Sequence, residues 1–184
     1  ERADLAAHPR FAERVARLQE GIDAHHAMDE KTRRRIAEEA DRAFALEAKD
    51  YWRKVLADDP GMEHGWMRVG LDDSGWRTMD LPGHWEDREP SLKDYDGTVW
   101  FRRSVTLPAE WAGKDLVLEL GRIDDSDRTW FEGTLVGSTT NRHDGERAYT
   151  VPGRLVDAGS AEVTVCVLDP QGGGGFSGGT MEVR

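Results

Sequence analysis

The pattern of hydrophobic and polar positions changes near residue 60. Before that point apolar residues recur three or four positions apart, which is the spacing of one face of an α-helix. Asp29 precedes the second apolar stripe and suits a helix N-cap, and Pro60-Gly61 follows that stripe as a stop. We predict a helical segment of two or three helices over residues 1–60. The first stripe is Phe11, Val15, Leu18 and Ile22, and the second is Ile36, Ala40, Ala43, Phe44, Tyr51, Val55 and Leu56.

After residue 60 apolar and polar residues alternate over short runs, as in β-strands that bury one face. Turn signals such as Asp96-Gly97 and Glu132-Gly133 separate the runs. We therefore predict a mainly β chain, in which residues 61–184 form a jelly-roll β-sandwich and the helical segment comes before it. The strand candidates are residues 76–79, 99–107, 116–120, 129–131, 148–151, 163–167 and 181–183.

Composition narrows the choice of partners. The 184 residues carry a formal net charge of -11, which disfavours nucleic acid and anionic membrane surfaces, because both attract basic proteins. No apolar run approaches the roughly 20 residues of a membrane-spanning helix. Cys166 is the single cysteine, so the chain cannot form an internal disulfide.

Motifs for catalysis and for metal binding are missing from the sequence. It contains no Gly-x-Ser-x-Gly element and no His/Cys cluster with zinc spacing, so we predict no catalytic residue, no metal and no cofactor. Three aspartates at positions 124, 125 and 127 suggest calcium, but the spacing of an EF-hand is absent. We predict that Asp124, Asp125 and Asp127 form a structural acidic cluster in which one carboxylate pairs with Arg102, Arg103 or Arg128.

Trp85 is the aromatic residue that best fits a carbohydrate contact. Aromatic faces stack on the apolar faces of sugars, and Trp85 follows a Pro-Gly turn within a polar loop. The other tryptophans on candidate strands, Trp76, Trp100 and Trp130, are expected to be half or fully buried.

Several runs from Trp76 onward resemble, in the same order, the galactose-binding-like β-sandwich that is inserted in sialate O-acetylesterases. A looser similarity exists to the sugar-binding domain of family 2 glycoside hydrolases. The resemblance covers about the last 110 residues of the chain. The matching runs include residues 81–85 (LPGHW), 96–103 (DGTVWFRR), 118–121 (LELG), 123–127 (IDDSD), 147–152 (RAYTVP) and 165–169 (VCVLD).

The resemblance implies that the bond-breaking Ser, Asp and His residues lie in a separate catalytic domain of the same parent enzyme. That domain is then the partner of this chain, O-acetylated sugar is the substrate, and the parent is periplasmic or secreted. The candidate carbohydrate-binding residues are Trp85, Arg147 and Asp169, all of which lie in matched runs.

The sequence therefore predicts a non-catalytic β-sandwich fragment of a sialate O-acetylesterase-like hydrolase, which shapes or presents the sugar substrate. Two alternatives remain open. In the first alternative the chain is an independent carbohydrate-binding module, which holds sugar by itself. In the second it is a purely structural spacer, which binds nothing.

Overall fold

The computed structural model describes residues 28–184, together with residues 16, 17, 19–21 and 23. The chain divides into two compact units, Glu1–Lys54 and Val55–Arg184. The predicted division at residue 60 stays a prediction about domain organisation. No helix in the described ranges is long and apolar enough to cross a membrane.

Helix α1 spans Glu30–Val55 and confirms the second predicted helix. Its N-terminus is capped as expected, because the Thr32 N–H and the Thr32 hydroxyl donate to the two Asp29 carboxylate oxygens at 2.9 and 2.8 Å. Ile36 and Leu46 are exposed, at 41% and 67%. The first predicted stripe, with Phe11, Val15, Leu18 and Ile22, lies outside the described residues, as does the Phe44 side chain of the second stripe.

The second unit is an antiparallel β-sandwich, which confirms the predicted mainly β fold. One sheet has the order β1-β8-β3-β6 with β9 also on β3, and the other has the order β2-β7-β4-β5. The strands are β1 Gly83–His84, β2 Gly97–Leu107, β3 Leu116–Asp124, β4 Ser126–Phe131, β5 Thr134–Thr139, β6 Glu146–Val151, β7 Gly159–Asp169, β8 Gly175–Gly178 and β9 Glu182–Val183. The short helices are α2 Pro60–His64 and α3 Trp85–Arg88, with 3₁₀ turns at Pro90–Leu92, Ala109–Trp111 and Gly153–Leu155.

The core lies between the two sheets and follows the predicted alternation. One side of each strand enters the core, because successive side chains of a strand point to opposite faces. Burying this apolar surface is the main force that holds the sheets together. The core includes Leu107 of β2, Leu116, Leu118 and Leu120 of β3, Phe131 of β4, and Val163, Val165 and Val167 of β7.

The other face of the β2-β7-β4-β5 sheet is also covered within this unit. Trp100 of β2 stacks on Trp130 of β4 at 5.1 Å between ring centroids, and Trp66 packs edge-on against Trp100 at 5.9 Å. Cys166 of β7 lies on the same face, opposite Trp100 in the strand pairing, and is fully buried. Burial raises the pKa of the Cys166 thiol, since a thiolate is poorly solvated there.

Some local predictions differ from the structure. Residues 76–79 do not form a strand, although Trp76 is half-buried as expected. The Glu132-Gly133 turn is confirmed, with φ values of 47° and 69° that suit a tight hairpin. Pro60 was predicted to stop the second helix, but α1 already ends at Val55 and Pro60 is the first residue of α2. Proline suits this first position because its missing N–H would have no partner within the helix.

Candidate functional site

The chain crosses from one sheet to the other at Asp124 and Asp125, and polar groups gather at this crossing. Asp124 ends β3 and stands opposite Gly175 in the pairing of β3 with β8. His84 of β1 stands opposite the same glycine from the other side of β8. Asp169 ends β7, and the Asp125 N–H points to the Leu168 carbonyl at 3.4 Å. The sandwich therefore brings the ends of β1, β3 and β7 to one place.

Charged side chains at this crossing influence the ionisation of Asp124 and Asp169. Asp125 and Asp169 raise the pKa of Asp124 through their charges, and His84 lowers it. Asp169 feels the charges of Asp125, Glu86 and Asp96. We call the set the carboxylate cluster; its members are Asp96, Asp124, Asp125, Asp169 and Glu86, and His84 lies beside them.

The pKa values of two members are raised. The pKa of Asp124 rises to about 6, first because of burial and then because of the hydrogen bond and the charge of Asp125. Burial is also the largest cause of the raised pKa of Asp169, whereas a hydrogen bond from the Gln171 N–H opposes the rise. The raised pKa values mean that Asp124 and Asp169 are more easily kept as neutral acids, since a carboxylate charge is costly where it is poorly solvated.

The Gly-rich loop at residues 170–174 lies against His84, Trp85 and Glu86. The Gly174 N–H donates to both oxygens of Glu86, at 3.2 and 3.1 Å, and the Gly174 carbonyl accepts from the Trp85 N–H at 2.9 Å. A β-carbon on Gly174 would lie 2.0 Å from the Trp85 ring, and one on Gly173 would lie 2.8 Å from His84 Nδ1. The glycines are therefore needed because the loop backbone lies directly on these two side chains.

Two buried polar atoms at this site have no hydrogen-bond partner within the described part of the chain. They are Asp169 Oδ2 and His84 Nε2. The other oxygen of Asp169 accepts from the Gln171 N–H at 3.1 Å, and the residue is fully buried. An unsatisfied buried carboxylate oxygen costs free energy, and the cost is largest when the group is charged.

A buried ion pair joins the two sheets directly behind the crossing. Arg147 Nε of β6 donates to Asp127 Oδ1 of β4 at 2.8 Å, and the two side chains are 1% and 0% exposed. The Arg147 guanidinium also donates to the Ile123 and Asp125 carbonyls at 2.8 and 3.0 Å, which fixes the backbone on both sides of Asp124. Arg147 thus positions the crossing from inside.

Asp127 has further donors beyond Arg147. Both of its oxygens accept from the Tyr149 hydroxyl at 2.9 Å, and Oδ2 accepts from the Thr129 hydroxyl at 2.9 Å. Burial raises the pKa of Asp127, and the Arg147 guanidinium opposes that rise. The partner is Arg147 rather than Arg102, Arg103 or Arg128, so the predicted pairing was wrong. Those three arginines lie on β2 and β4 of one sheet, whereas the actual partner comes from the opposite sheet.

The structure buries all three predicted carbohydrate-binding residues. The Trp85 ring is fully buried in the core against Gly174, and its Nε1 donates to the Tyr95 carbonyl at 3.2 Å. Arg147 is 2% exposed and holds the crossing, and Asp169 is fully buried. Contact of these residues with carbohydrate stays a prediction.

Sequence reasoning missed His84 and Glu86, although both contact or support the Gly-rich loop. The available signal was the run Gly172–Gly175, because consecutive glycines indicate that other groups approach the backbone closely. Among the described residues, no group of three or more His, Cys, Asp or Glu side chains could hold a metal ion.

A small surface cavity lies elsewhere on the sandwich, between β3, β6 and β9. Its volume is about 160 Å³, below the roughly 300–1,000 Å³ that is usual for small-molecule sites. Glu119, one of its lining residues, forms an ion pair with Arg184. The cavity is lined by Glu119, Gly121, Glu146, Arg147, Ala148, Thr180 and Glu182.

Comparison with known proteins points to glycoside hydrolases. No protein-family model matches the chain. A β-glucuronidase of Paenibacillus borealis is 29% identical over 90 residues, which cover 47% of this chain and 15% of that protein. A β-glucuronidase of Canis lupus familiaris is 31% identical over 90 residues, which cover 45% of this chain and 14% of that protein. The chain therefore spans about one seventh of the length of these relatives.

Solved structures share the fold of the sandwich. A β-glucuronidase 2 of Bacteroides uniformis has a TM-score of 0.51 at 26% identity, over 60% of this chain and 14% of its own. A glycosyl hydrolase family 2 member from Bacteroides cellulosilyticus has a TM-score of 0.52 at 20% identity, over 59% of this chain and 17% of its own.

These findings correct the predicted family. The relatives and the structural neighbours are β-glucuronidases and family 2 glycoside hydrolases, so the assignment to the sialate O-acetylesterases was wrong. The matching runs consist largely of strand and turn residues such as Asp96-Gly97 and Leu118–Leu120. Such residues report the sandwich architecture, which different carbohydrate-active enzymes share, rather than the chemistry of one of them.

Proposed function

We propose that this chain is a non-catalytic β-sandwich domain of a larger glycoside hydrolase related to the β-glucuronidases of family 2. One observation carries the proposal: sequence and fold comparisons, made separately, point to the same class of enzyme. In both comparisons the match covers only a small part of the other protein, as expected for one domain of several. The hydrolytic residues then belong to the catalytic domain of the same protein, and that domain is the partner of this chain.

The burial of Asp169 and the small size of the surface cavity support a non-catalytic role. Glycoside hydrolysis uses two carboxyl groups on opposite sides of a glycosidic bond, about 5–10 Å apart, in a cleft that admits the sugar. Asp169 is fully buried, so no sugar ring reaches it in this conformation. The cavity beside Glu119 has a volume of about 160 Å³, too small to enclose a glycoside across such a pair.

The test compares the natural protein at its full length with residues 1–184 alone. Both are assayed with aryl β-glucuronides, β-galactosides, β-glucosides and β-mannosides. We expect the full-length protein to hydrolyse at least one of them, with glucuronide as the first candidate, and residues 1–184 to hydrolyse none. Circular dichroism of residues 1–184 checks that the inactive piece retains its β-structure.

Two results would contradict the proposal. The first is a folded full-length protein that leaves every β-glycoside intact. The second is turnover by residues 1–184 alone, which would place the catalytic carboxylates within this chain.

A further inference from the structure

The loop that joins β5 to β6, residues 140–145, has a fixed backbone, and we call it the β5–β6 loop. The Asn141 N–H donates to Ser126 Oγ at 2.9 Å, and the Arg142 N–H donates to the Asp125 carbonyl at 2.8 Å. Ser126 is fully buried, so one of these acceptors belongs to the interior of the sandwich.

Arg147 holds the same loop from the core. Its guanidinium donates to the Arg142 carbonyl at 2.7 Å and to the Gly145 carbonyl. Arg147 is itself fixed by its buried ion pair with Asp127. The β5–β6 loop is therefore anchored at both ends, and little conformational freedom remains to be lost when a ligand binds.

The side chains of the β5–β6 loop are accessible although its backbone is anchored. They offer a guanidinium, an amide, an imidazole and a carboxylate at consecutive positions. Polar side chains on a loop with a rigid support are typical of binding sites, because such a loop combines access with fixed geometry. The exposed residues are Asn141, Arg142, His143 and Asp144.

Arg142 gives this loop a chemical preference. Its side chain lies across Gly145, where a β-carbon would be 2.1 Å from Arg142 Nε and 2.5 Å from Arg142 Cδ. Within the described part of the chain, the Arg142 guanidinium forms no hydrogen bond and no ion pair. A guanidinium that is positioned but not neutralised can pair with a carboxylate through two parallel hydrogen bonds without giving up an existing partner.

The charge around Arg142 is mixed rather than strongly basic. Asp144 in the loop and Glu146 at the start of β6 are exposed acids, and the whole chain has a formal net charge of -11. A simple anion such as phosphate therefore gains little from long-range attraction. A ligand that combines one carboxylate with hydroxyl groups fits better, because its hydroxyls can bond to the side chains of Asn141 and Asp144.

We propose that the β5–β6 loop is a binding site for a uronic acid, in which Arg142 pairs with the sugar carboxylate and Asn141 and Asp144 bond to the sugar hydroxyls. The choice of sugar rests on the proposed function, since the relatives are β-glucuronidases. The site holds an acidic sugar of the parent enzyme's substrate and breaks no bond itself.

An NMR titration of the 184-residue chain with sodium glucuronate tests the site, with amide shifts followed in ¹⁵N spectra at constant ionic strength. We expect saturable shifts confined to the β5–β6 loop and its anchors, with a Kd on the order of 1–10 mM, because a small exposed site buries little surface. Glucose lacks the carboxylate and phosphate lacks the sugar hydroxyls, so each should bind at least about tenfold more weakly.

Variants of single arginines separate the site from a general effect of charge. Arg142→Gln removes the guanidinium and should weaken glucuronate binding at least about tenfold. The matched control is Arg154→Gln, which changes an exposed arginine in the 3₁₀ turn at Gly153–Leu155 and should leave the binding unchanged. If Arg142→Gln does not fold, Arg142→Lys keeps the charge without the two-pronged geometry and should also bind more weakly.

Three results would overturn the site. They are the absence of saturable shifts in the β5–β6 loop, binding of glucose or phosphate as tight as that of glucuronate, and unchanged glucuronate binding in a folded Arg142→Gln or Arg142→Lys chain. None of them depends on hydrolysis by the full-length protein. A failure of the site and a failure of the proposed function are therefore seen in separate experiments.

Discussion

Arg147 occupies an unusual position for a charged side chain, between the two sheets of a sandwich. It is 2% exposed, and its donors go to Asp127 and to the carbonyls of Ile123, Asp125, Arg142 and Gly145. Removing one member of a buried pair leaves the other charge without compensation, which costs more than the pair itself gains. Arg147 therefore stabilises the fold by holding these carbonyl groups and the Asp127 carboxylate in place.

We expect Arg147→Met to lower the free energy of unfolding by about 3–5 kcal/mol, because Asp127 and four carbonyls lose their buried donor. Urea unfolding followed by circular dichroism measures the change. The matched control is Arg184→Met, since Arg184 is 65% exposed and its surface pair with Glu119 should be worth no more than about 1 kcal/mol. Equal losses in the two variants would show that Arg147 has no special structural role.

Individual side chains were the hardest level to predict from the sequence. Trp85 lies in a stretch of polar residues, yet its ring is fully buried, because Gly174 comes from a strand connection almost ninety positions later. The Asp127–Arg147 pair joins β4 and β6, which lie in different sheets. Contacts of this kind depend on how the two sheets face each other, which the local pattern of hydrophobic and polar residues does not determine.

At the scale of elements, α2 shows how a short helix is held to a sheet. Asp59 caps it by accepting from the Gly61 and Met62 N–H groups at 2.8 and 3.2 Å. The same carboxylate accepts from Thr98 Oγ1 at 2.6 Å and from Trp100 Nε1 at 3.0 Å, both on β2. Gly61 permits this approach, since a β-carbon there would lie 2.3 Å from the Trp100 ring.

Asp59→Ala should therefore destabilise the sandwich by about 1–3 kcal/mol, because it leaves the Trp100 indole N–H and the helix N–H groups without their acceptor. Asp58→Ala, at the exposed neighbouring position, is the control and should be close to neutral. Thermal unfolding of the two variants provides the measurement. A smaller loss for Asp59→Ala than for Asp58→Ala would rule out this function of the cap.

Strands with strong alternation were predicted well, and weak ones were not. β2, β3 and β7 contain Val, Leu and Phe at every second position over long stretches, so the buried face could be read directly. β5 contains Gly137, which leaves room for Tyr149 but interrupts the alternation. β8 begins within the glycine run at Gly175, where the sequence indicated only a loop. β5 forms by pairing with β4, and β8 forms by pairing with the longer β3.

For the whole molecule, charge links stability to pH. The formal net charge of -11 already opposes compaction near neutral pH through self-repulsion. The carboxyl groups of Asp124, Asp127 and Asp169 have pKa values above the ordinary range because they are buried. In contrast, hydrogen bonds lower the pKa values of Asp29, Asp72 and Glu89, which favours folding only above the acid range in which they titrate.

We therefore expect the free energy of unfolding to fall as the pH rises from about 4.5 to 6, because folding raises the pKa of Asp124 to about 6 and also raises the pKa values of Asp127 and Asp169. Urea midpoints across this range measure it. Asp124→Asn should reduce the slope between about pH 4.5 and 6, and Asp157→Asn should leave it unchanged. A stability that rises steadily with pH over the range would contradict the assignment of raised pKa values.

The burial of Cys166 has a practical consequence. The chain has one cysteine, and it lies inside the layer formed by β2, β7 and β4, where its thiol is both shielded and kept protonated. An alkylating reagent can reach the sulfur only while these strands are apart. The rate at which Cys166 is alkylated therefore reports how often the β2-β7-β4-β5 sheet opens in the native protein, and no label has to be introduced.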